Sequence, residues 1–557
     1  MEHGTRVKNK KATVRCFVNC GDVGNMSTIL IILFLISYLI LAKIRLDWAV
    51  MFLIAALPSY LIRFSVFSIP FTLLEAMILI SFIIWLIANL RQIINNLKLK
   101  IKLLKNPKSE IRNPKSERYP FDIEIILLLI ISFIAVAVAG FSDSALGIWK
   151  AYFFEPVLVF ILVMNLPLPP SLLRRGNEKE CRYNILEKIL WPLAISALAV
   201  SVFAIYQKFT GAFIFNELWA AEETRRVTSF FGYPNAVGLY LGPLVLIFIG
   251  WLSHQIYAIK RRVISYKLLV ISFIIIISVF SIYFAKSEGA LIGVAAGIAI
   301  FGLFADRRIR WAMITLIFVA GLGIIMSQPV RNYTFKKITL TDLSGEIRKQ
   351  QWKETWQMMT HCGDTRFCAI TRFIFGTGLA NYKEAVLPYH QEGIFFNKDN
   401  DPDFRRKIVI FDDQYRAEHW QPVEIYLYPH NIFLNFWTEL GLAGMLLFLW
   451  VFIKFWIIGF KIIGNWKLEI GNLNTVKEKY IVLGLLCSMI AITIHGLVDV
   501  PYFKNDLAVM FFILIAIIGL INLNNKKLWR LKLQTAVKTR LAPNSRSFCR
   551  KFCRHWR

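Results

Sequence analysis

Acidic residues are scarce in this chain of 557 residues: Asp and Glu total 36 against 65 Lys and Arg, a net charge of +29. Charged residues make up only 18% of the sequence, whereas 56% is hydrophobic, and the mean hydropathy is +0.53. This composition excludes a disordered polymer and a secreted disulfide scaffold. It also excludes a cytosolic enzyme, because soluble domains average roughly 45–50% apolar residues scattered among polar ones.

The hydrophobic residues lie in long uninterrupted runs, such as 26–42 and 121–141. Runs of about 18 or more apolar residues are typical of membrane-spanning helices. The sequence therefore predicts an all-α polytopic membrane protein with about 12–13 transmembrane helices. Apolar windows along the chain place the candidate spans at 26–42, 48–65, 70–90, 121–140, 150–167, 187–207, 230–252, 268–285, 288–304, 311–327, 430–458, 479–497 and 505–523.

Clusters of Lys and Arg between the spans predict the orientation, because short cytoplasmic loops concentrate these residues. The segments placed inside by this rule are 91–119, 169–188, 253–267, 305–310 and the basic tail 524–557. The first of them contains a low-complexity tandem repeat at 106–117. The outer segments follow by alternation, and the largest is the loop 328–429, which separates helices 1–10 (26–327) from helices 11–13 (430–523). Because the positive charge sits in loops between spans, no nucleic-acid partner is expected.

The N-terminal extension 1–25 does not fit this alternation, because thirteen spans and an inside C-terminus would place its basic residues outside. One hypothesis is that translation begins at Met26. The alternative is that 26–65 forms one span plus a re-entrant piece, which gives twelve spans. In the outer loop, Cys362 and Cys368 could form a disulfide in an oxidising compartment.

Two segments at the outer ends of spans carry cations. The stretch Arg225-Arg226-Val-Thr-Ser-Phe-Phe-Gly-Tyr-Pro-Asn235 places two arginines before a helix start that Gly and Pro interrupt, and such breaks line cavities rather than lipid. A guanidinium presents a planar fork of donors suited to phosphate. The turn Lys286-Ser287-Glu288-Gly289 joins two spans. The structural alternatives are an interfacial anchor for the first segment and a neutral hairpin tip for the second.

Further motifs lie in and after the large loop. His430 and Asn431 enter the eleventh span, where a histidine can act as a base and Asn431 can serve as a helix cap. Arg348 and Trp352 share one helix face, since they are four residues apart. The turn 376–382 is rich in glycine but lacks the context of a nucleotide-binding loop. The motifs that complete the series are Glu439-Leu-Gly441 and His495-Gly-Leu-Val-Asp499-Val-Pro501.

In their order and their shared membrane face, these segments resemble the O-antigen ligase and O-antigen polymerase superfamily of bacterial membrane glycosyltransferases. The resemblance extends over about 48–523 and is strongest in 225–500. It implies a helical fold resembling that of C-type glycosyltransferases. It also implies transfer of a glycan from an undecaprenyl-diphosphate carrier to a lipid, glycan or protein acceptor, without metal or other cofactor. The expected place is the outer face of the bacterial inner membrane, among membrane lipids, in the biosynthesis of lipopolysaccharide or another surface polysaccharide.

The resemblance also suggests roles for residues. Arg226 matches an arginine that contacts the lipid diphosphate in the family, and His430 matches the histidine at the reaction centre, so these are the predicted catalytic residues. The predicted substrate-binding residues are Arg225, Lys286, Arg348, Asn235 and Asn431, and no metal ligand is predicted. The family hairpin usually reads Ser-Arg-Gly, whereas here Glu288 follows Ser287. Lys286 could supply the missing cation.

Two other classes of protein share parts of this pattern. A lipid-glycan transporter should show two similar halves with charges near the bilayer midplane, but no internal repeat is visible and the polar residues gather at one face. A membrane scaffold would not need the array of Arg and His. A transferase is therefore favoured, and the motifs leave ligase and polymerase as alternatives.

Overall fold

The computed structural model describes residues 23–66, 69–105, 119–166, 178–258, 265–361, 366–410, 412–467 and 473–540. The predictions for residues 1–22, for the repeat at 106–117 and for Cys362 lie outside the described residues. Cys368 is disulfide-bonded. The described chain is almost entirely helical, which confirms the all-α membrane fold.

Helices account for most of the first 326 residues. They are α1 (Val23–Ile44), α2 (Leu46–Ala55), α3 (Leu73–Lys105), α4 (Asp122–Val138), α5 (Asp143–Trp149), α6 (Glu155–Met164), α7 (Glu178–Thr210), α8 (Glu217–Ala220), α9 (Pro234–Ala258), α10 (Tyr266–Phe284), α11 (Glu288–Phe304) and α12 (Arg307–Met326). A 3-10 turn (Leu57–Leu61) and a hairpin of β1 (Arg63–Val66) and β2 (Ile69–Thr72) separate α2 from α3, and a π-helical stretch (Lys150–Phe154) joins α5 to α6.

The predicted outer loop 328–429 contains helices and one small sheet, and the last spans follow it. The elements are α13 (Gln328–Ile338), α14 (Leu343–Thr360), α15 (Arg366–Phe375), α16 (Tyr382–Val386), a 3-10 turn (Leu387–Tyr389), β3 (Gly393–Phe395), α17 (Phe404–Val409), α18 (Asp413–His419), β4 (Trp420–Pro422), α19 (Ile432–Lys467), α20 (Leu473–Gly496) and α21 (Asn505–Arg540). Strands β3 and β4 pair antiparallel, with Ile394 opposite Gln421.

Nine helices within the described residues are long and apolar enough to cross a membrane. They contain the segments Leu73–Arg91, Asp143–Met164, Ile185–Thr210, Pro234–Tyr257, Tyr266–Phe284, Arg307–Met326, Ile432–Gly464, Lys479–Gly496 and Asn505–Leu523. The shorter apolar helices are Thr28–Ile44, Leu46–Ala55 and Glu288–Phe304. The count is lower than the predicted 12–13 because in several predicted spans the apolar helical stretch has 17 residues or fewer.

The predicted span 48–65 is not one continuous helix. Helix α2 has ten residues, about 15 Å of rise, and the chain continues through a 3-10 turn that contains Pro58. Asp47 at the start of α2 accepts a hydrogen bond from Lys188 of α7 at 2.8 Å. Tyr60, at the other end of the segment, lies against Lys504 just before α21. A short helix and a turn together therefore cover the distance that the sequence suggested for a single helix.

Helices α9 and α20 form the centre of the bundle, with α11 against both and α21 packed on α6. Large aromatic side chains fill this core, among them the fully buried Tyr240, Trp251, Phe436, Phe448 and Tyr480. Helix α12 has no buried residue and lies at the periphery. The central helices α9 and α20 also carry Asn235 and His495, so the core positions residues of the candidate site.

Hydrogen bonds attach the segment 328–429 to the membrane-spanning helices. Its turn at Gly376–Ala380 meets the first turns of α19, where the Thr377 amide donates to the Thr438 carbonyl at 2.7 Å and the Ala380 amide to the Glu439 carboxylate at 2.8 Å. Gly441 adopts a φ of +73° at the kink in α19, and a Cβ there would collide with the Ile374 carbonyl. Two motifs that stand 59 residues apart in sequence therefore form one contact.

Candidate active site

Arg226 ties the first two cationic segments together. Its Nε donates to the carbonyl of Ala285 at 3.1 Å, and its Nη2 lies 3.3 Å from both the Lys286 carbonyl and the Asn235 Oδ1. The hairpin tip between α10 and α11 is thus held against the start of α9. Partial burial lowers the pKa of the Arg226 guanidinium, which remains cationic near neutral pH because the ordinary pKa of arginine lies far above neutrality.

Asn235 extends the contact to the segment between α20 and α21. Its side-chain nitrogen donates to the Asp499 Oδ2 at 3.2 Å, while its oxygen accepts from Arg226. Asp499 is buried, and its other oxygen accepts from the Val500 amide at 2.8 Å. Asn235 therefore bridges a cation and a buried carboxylate.

His430 stands at the entry to α19. The Trp352 indole donates to the Pro429 carbonyl at 2.9 Å, which anchors the residue before the histidine to α14. His430 has a left-handed backbone with φ of +46°, and its ring centroid lies 4.7 Å from that of Tyr426 and 5.3 Å from that of Tyr428. Its Nδ1 is buried without a hydrogen-bond partner among the described residues.

Asn431 caps α19, as its structural alternative predicted. Its Oδ1 accepts from the amides of Phe433 at 3.0 Å and Leu434 at 3.1 Å, and its nitrogen donates to the Leu497 carbonyl at 3.1 Å. The side chain thereby fixes both the helix start and the loop after α20. Its contacts position His430.

The electrostatic surroundings of His430 favour the neutral imidazole. Burial lowers the pKa of His430; Asp499 opposes this shift, and Arg348 adds to it. The same two charges act on His495, at the end of α20. A single cluster, which we call the polar cluster, therefore brings together six residues from four separate places in the chain: Arg226, Asn235, Arg348, His430, His495 and Asp499.

Arg348 is the least satisfied member of the polar cluster. Its Nε is buried without a hydrogen-bond partner, and its guanidinium forms no ion pair with any described carboxylate. The helix that carries it is oriented by Trp352, four residues on, through the bond to Pro429. Among the described residues, this planar fork of donors therefore has hydrogen-bonding capacity to spare, and its charge acts on His430.

The hairpin tip contributes backbone rather than a cation to the polar cluster. Lys286 is exposed, has a left-handed backbone, and its ammonium reaches the Thr224 carbonyl at 3.4 Å. Glu288 faces α13, where it pairs with Lys337 at 2.6 Å and accepts from the Tyr333 hydroxyl at 3.0 Å. Glu288 is thus held by the segment 328–429.

Arg225 is not brought to the polar cluster. Its Nε donates to the Ala220 carbonyl at 3.1 Å, and its Nη1 to the Lys208 carbonyl at 3.0 Å. It folds the chain between α7 and α9 onto the end of α7. Neighbouring arginines in the sequence therefore have different surroundings, which their spacing did not reveal.

Histidine 495 packs directly on the hairpin. A Cβ at Gly289 would lie 2.6 Å from the His495 Cδ2, so the close approach requires glycine at that position. The sequence placed His495 and Asp499 at the outer end of a span without assigning them to the site. Their shared outer position was the signal that could have added them.

Lys504 lies next to the polar cluster and was not predicted as a site residue. Its ammonium stands 4.6 Å from the ring centroid of Phe231, 4.8 Å from Tyr233 and 5.4 Å from Tyr60. A lysine between a short loop and an apolar helix usually indicates an interfacial anchor. The contact with Tyr60 could not be predicted, because Tyr60 and Lys504 lie far apart in the sequence.

Comparison with known proteins relates part of the chain to a known family. A family model described as O-antigen ligase matches residues 273–449. The matched part is roughly a third of the chain and runs from within α10 to the middle of α19. It includes the hairpin, Arg348, His430 and the kink at Gly441. No curated protein matches the chain significantly. Over residues 273–449, the chain is confirmed as similar to the O-antigen ligase superfamily.

Proposed function

We propose that the chain is a membrane glycosyltransferase that moves a glycan from an undecaprenyl-diphosphate carrier to an acceptor at the outer face of the bacterial inner membrane. The family match supports a ligase or polymerase of this kind. One observation carries the assignment: in the part of the chain that the structure describes, the Arg348 guanidinium has no ion-pair partner and the His430 Nδ1 has no hydrogen-bond partner, and both residues belong to the polar cluster. A donor of charge-assisted hydrogen bonds and a neutral base are thus held together.

In this proposal the diphosphate binds to Arg348 and Arg226. Arg226 uses Nε and Nη2 for the hairpin and Asn235, which leaves Nη1 for a phosphate oxygen. Negative charge develops on the diphosphate as the bond to the sugar breaks, and fixed cations stabilise that charge most strongly where water is excluded. Arg225, Lys286 and Asn431 are assigned to the structure of the site, since their polar groups contact backbone.

The reaction is a substitution at the anomeric carbon of the donor glycan. An acceptor hydroxyl oxygen forms the new bond to that carbon, and the bond from carbon to the diphosphate oxygen breaks with its electron pair remaining on the diphosphate. The hydroxyl proton passes to the neutral imidazole of His430. Asp499 stabilises the imidazolium that results, because it raises the basicity of His430 against the effect of burial.

The test is transfer by the purified full chain in lipid nanodiscs with an undecaprenyl-diphosphate glycan and candidate acceptors. We expect transfer to fall at least tenfold in Arg348→Ala. The matched control is Lys353→Ala, which removes an exposed cation five residues along the same helix. Both variants should elute as the wild type does in size-exclusion chromatography.

The products separate the alternatives. Discrete one-step products indicate a ligase, whereas a ladder of lengthening glycans indicates a polymerase with the same donor chemistry. Absence of transfer to every acceptor, combined with movement of glycolipid across liposomes, would reject the transferase and favour a transporter.

A further inference from the structure

The ammonium of Lys504 is held in an aromatic cage, which we define as Phe231, Tyr233 and Tyr60. The three ring centroids lie within 5.4 Å of the Lys504 nitrogen. Ring faces attract a cation through their quadrupole but accept no hydrogen bond of ordinary strength. The cage therefore fixes the position of the charge without using its three donors.

No carboxylate takes those donors either. Asp499 and Asp506 exert an electrostatic effect on Lys504, yet within the part of the chain that the structure describes neither forms an ion pair with it inside 4 Å. Burial lowers the pKa of the Lys504 ammonium, and the two acids oppose that shift. Among the described residues the ammonium is thus held by ring faces and by longer-range charge, and its three donors remain available to an anionic ligand.

The cage belongs structurally to the polar cluster. Phe231 and Tyr233 lie in the same segment as Arg226, and Tyr233 shares a hydrogen bond with Tyr428, whose ring contacts that of His430. Lys504 itself follows Asp499 by five residues in the turn before α21. The aromatic cage is therefore built from the same segments that carry groups proposed to bind the donor.

We propose that Lys504 binds a phosphate oxygen of the polyprenyl-diphosphate donor and replaces the hairpin cation that this chain lacks. The inference rests on the proposed function. At the hairpin, Glu288 occupies the position where the family usually carries arginine, and Lys286 points to the Thr224 carbonyl. Arg226 and Arg348 then contact one side of the diphosphate, and Lys504 contacts the other from the aromatic cage.

The experiment measures binding rather than turnover. The full chain in nanodiscs of phosphatidylcholine is titrated with farnesyl diphosphate, farnesyl monophosphate and inorganic diphosphate by isothermal calorimetry. In Lys504→Met we expect affinity for farnesyl diphosphate to fall about 10- to 100-fold, the range for loss of one charged hydrogen bond. Lys504→Arg should stay within about threefold of the wild type, since it preserves the charge.

A matched control and a second variant protect the test against misfolding. Lys383→Met removes an exposed lysine from α16 and should bind as the wild type does. Phe231→Leu leaves the ammonium in place but removes one wall of the aromatic cage, and we expect a smaller loss of about threefold. Wild-type affinity for farnesyl diphosphate in both Lys504→Met and Phe231→Leu would overturn the proposal.

Two further outcomes separate this inference from the proposed function. If Arg348→Met abolishes diphosphate binding while Lys504→Met retains it, the transferase assignment stands and the role of Lys504 is wrong. If the wild type neither binds farnesyl diphosphate nor transfers glycan, the proposed function itself fails. If Lys504→Met binds phosphatidylglycerol more weakly than the wild type does but keeps its affinity for farnesyl diphosphate, the ammonium binds a lipid headgroup. That result would also overturn the inference.

Discussion

In the segment between α12 and α19, lysines face carboxylates. Lys337 pairs with Glu288 at 2.6 Å and with Asp342 at 2.9 Å, and Lys407 pairs with Asp401 at 2.6 Å. Among the described residues of the polar cluster and its neighbourhood, by contrast, Arg348 and Lys504 have no carboxylate within ion-pair distance. The pairs hold the fold together, and the unpaired cations leave their hydrogen-bonding capacity to a ligand.

The energetic cost of this arrangement has a clear physical origin. A buried polar group without a partner loses its hydration and gains nothing in return, which costs about 1–3 kcal/mol and more for a charge. A protein retains such a group where its function needs it, because selection for stability alone would replace it. The comparison therefore predicts that removing a paired cation reduces stability, whereas removing an unpaired one reduces transfer.

The largest difference in transfer rate is expected between variants of two histidines, one with an unpartnered ring nitrogen among the described residues and one with both nitrogens bound. His430→Ala should reduce transfer by about 10²- to 10⁴-fold, the usual contribution of a general base, with little change in thermal stability. His390, in contrast, has both ring nitrogens within 3.3 Å of partners, the Glu354 carboxylate and the Val423 carbonyl. His390→Ala should lower the melting temperature while the folded protein still transfers glycan. The measurements are initial rates of transfer and thermal unfolding in detergent; equal loss of activity in both variants would contradict the comparison.

Much of this fold could be predicted from the sequence because a bilayer imposes long apolar helices on the chain. The interruption of the second span agrees with the alternative in which 26–65 forms one span plus a re-entrant piece, but periodicity alone could not show that Pro58 and the residues after Ala55 form a turn. At the site, the order of motifs predicted that Arg226, Asn235 and His430 share one region. The orientation of Arg225 could not be predicted, because it depends on two backbone carbonyls placed by the folded loop. The aromatic cage could not be predicted either, since Tyr60 meets Lys504 only through tertiary packing.

The next largest effects are expected for two cations, one without an ion pair among the described residues and one within an ion pair. Arg348→Met should reduce transfer about 10- to 100-fold and leave the free energy of unfolding unchanged or slightly increased, because an unpaired charge is removed. Lys454 is instead bound by the Glu124 carboxylate at 2.7 Å within the bundle. Lys454→Met should destabilise the protein by about 3 kcal/mol, since Glu124 is left without its counter-ion.

A double-mutant cycle tests the second half of that prediction. Lys454→Met combined with Glu124→Gln should recover most of the stability lost in the single variant. If Arg348→Met were the less stable of the two single variants and Lys454→Met the less active, the assignment of paired cations to stability and unpaired cations to transfer would be wrong.

The pH dependence of transfer sharpens the account of His430. Because burial and Arg348 lower its pKa below 6.5, with Asp499 opposing, the imidazole stays mostly neutral at pH 6.5 and more than half of the plateau rate should remain. The rate should then fall as the pH drops through the lowered pKa, since protonation removes the base. Arg348→Met should move this acid limb to higher pH, and Asp499→Asn should move it to lower pH. Rates measured from pH 5 to 8 with a constant ionic strength would reject the assignment if both variants shifted the limb in the same direction.

The smallest effect is expected at Glu288, although this is the residue that departs from the family hairpin. Its carboxylate is half-exposed and bound to Lys337 and Tyr333 of α13, so Glu288→Gln should cost less than about 1 kcal/mol and change the rate of transfer less than about threefold. Lys337 keeps a partner in Asp342, which limits the loss further. Transfer rates and melting temperatures of Glu288→Gln and the wild type provide the measurement. A large loss of transfer at unchanged stability would show that this carboxylate takes part in the reaction. Paired residues would then no longer act only on the fold, and the distinction from unpaired residues that bind the donor would fail at the hairpin.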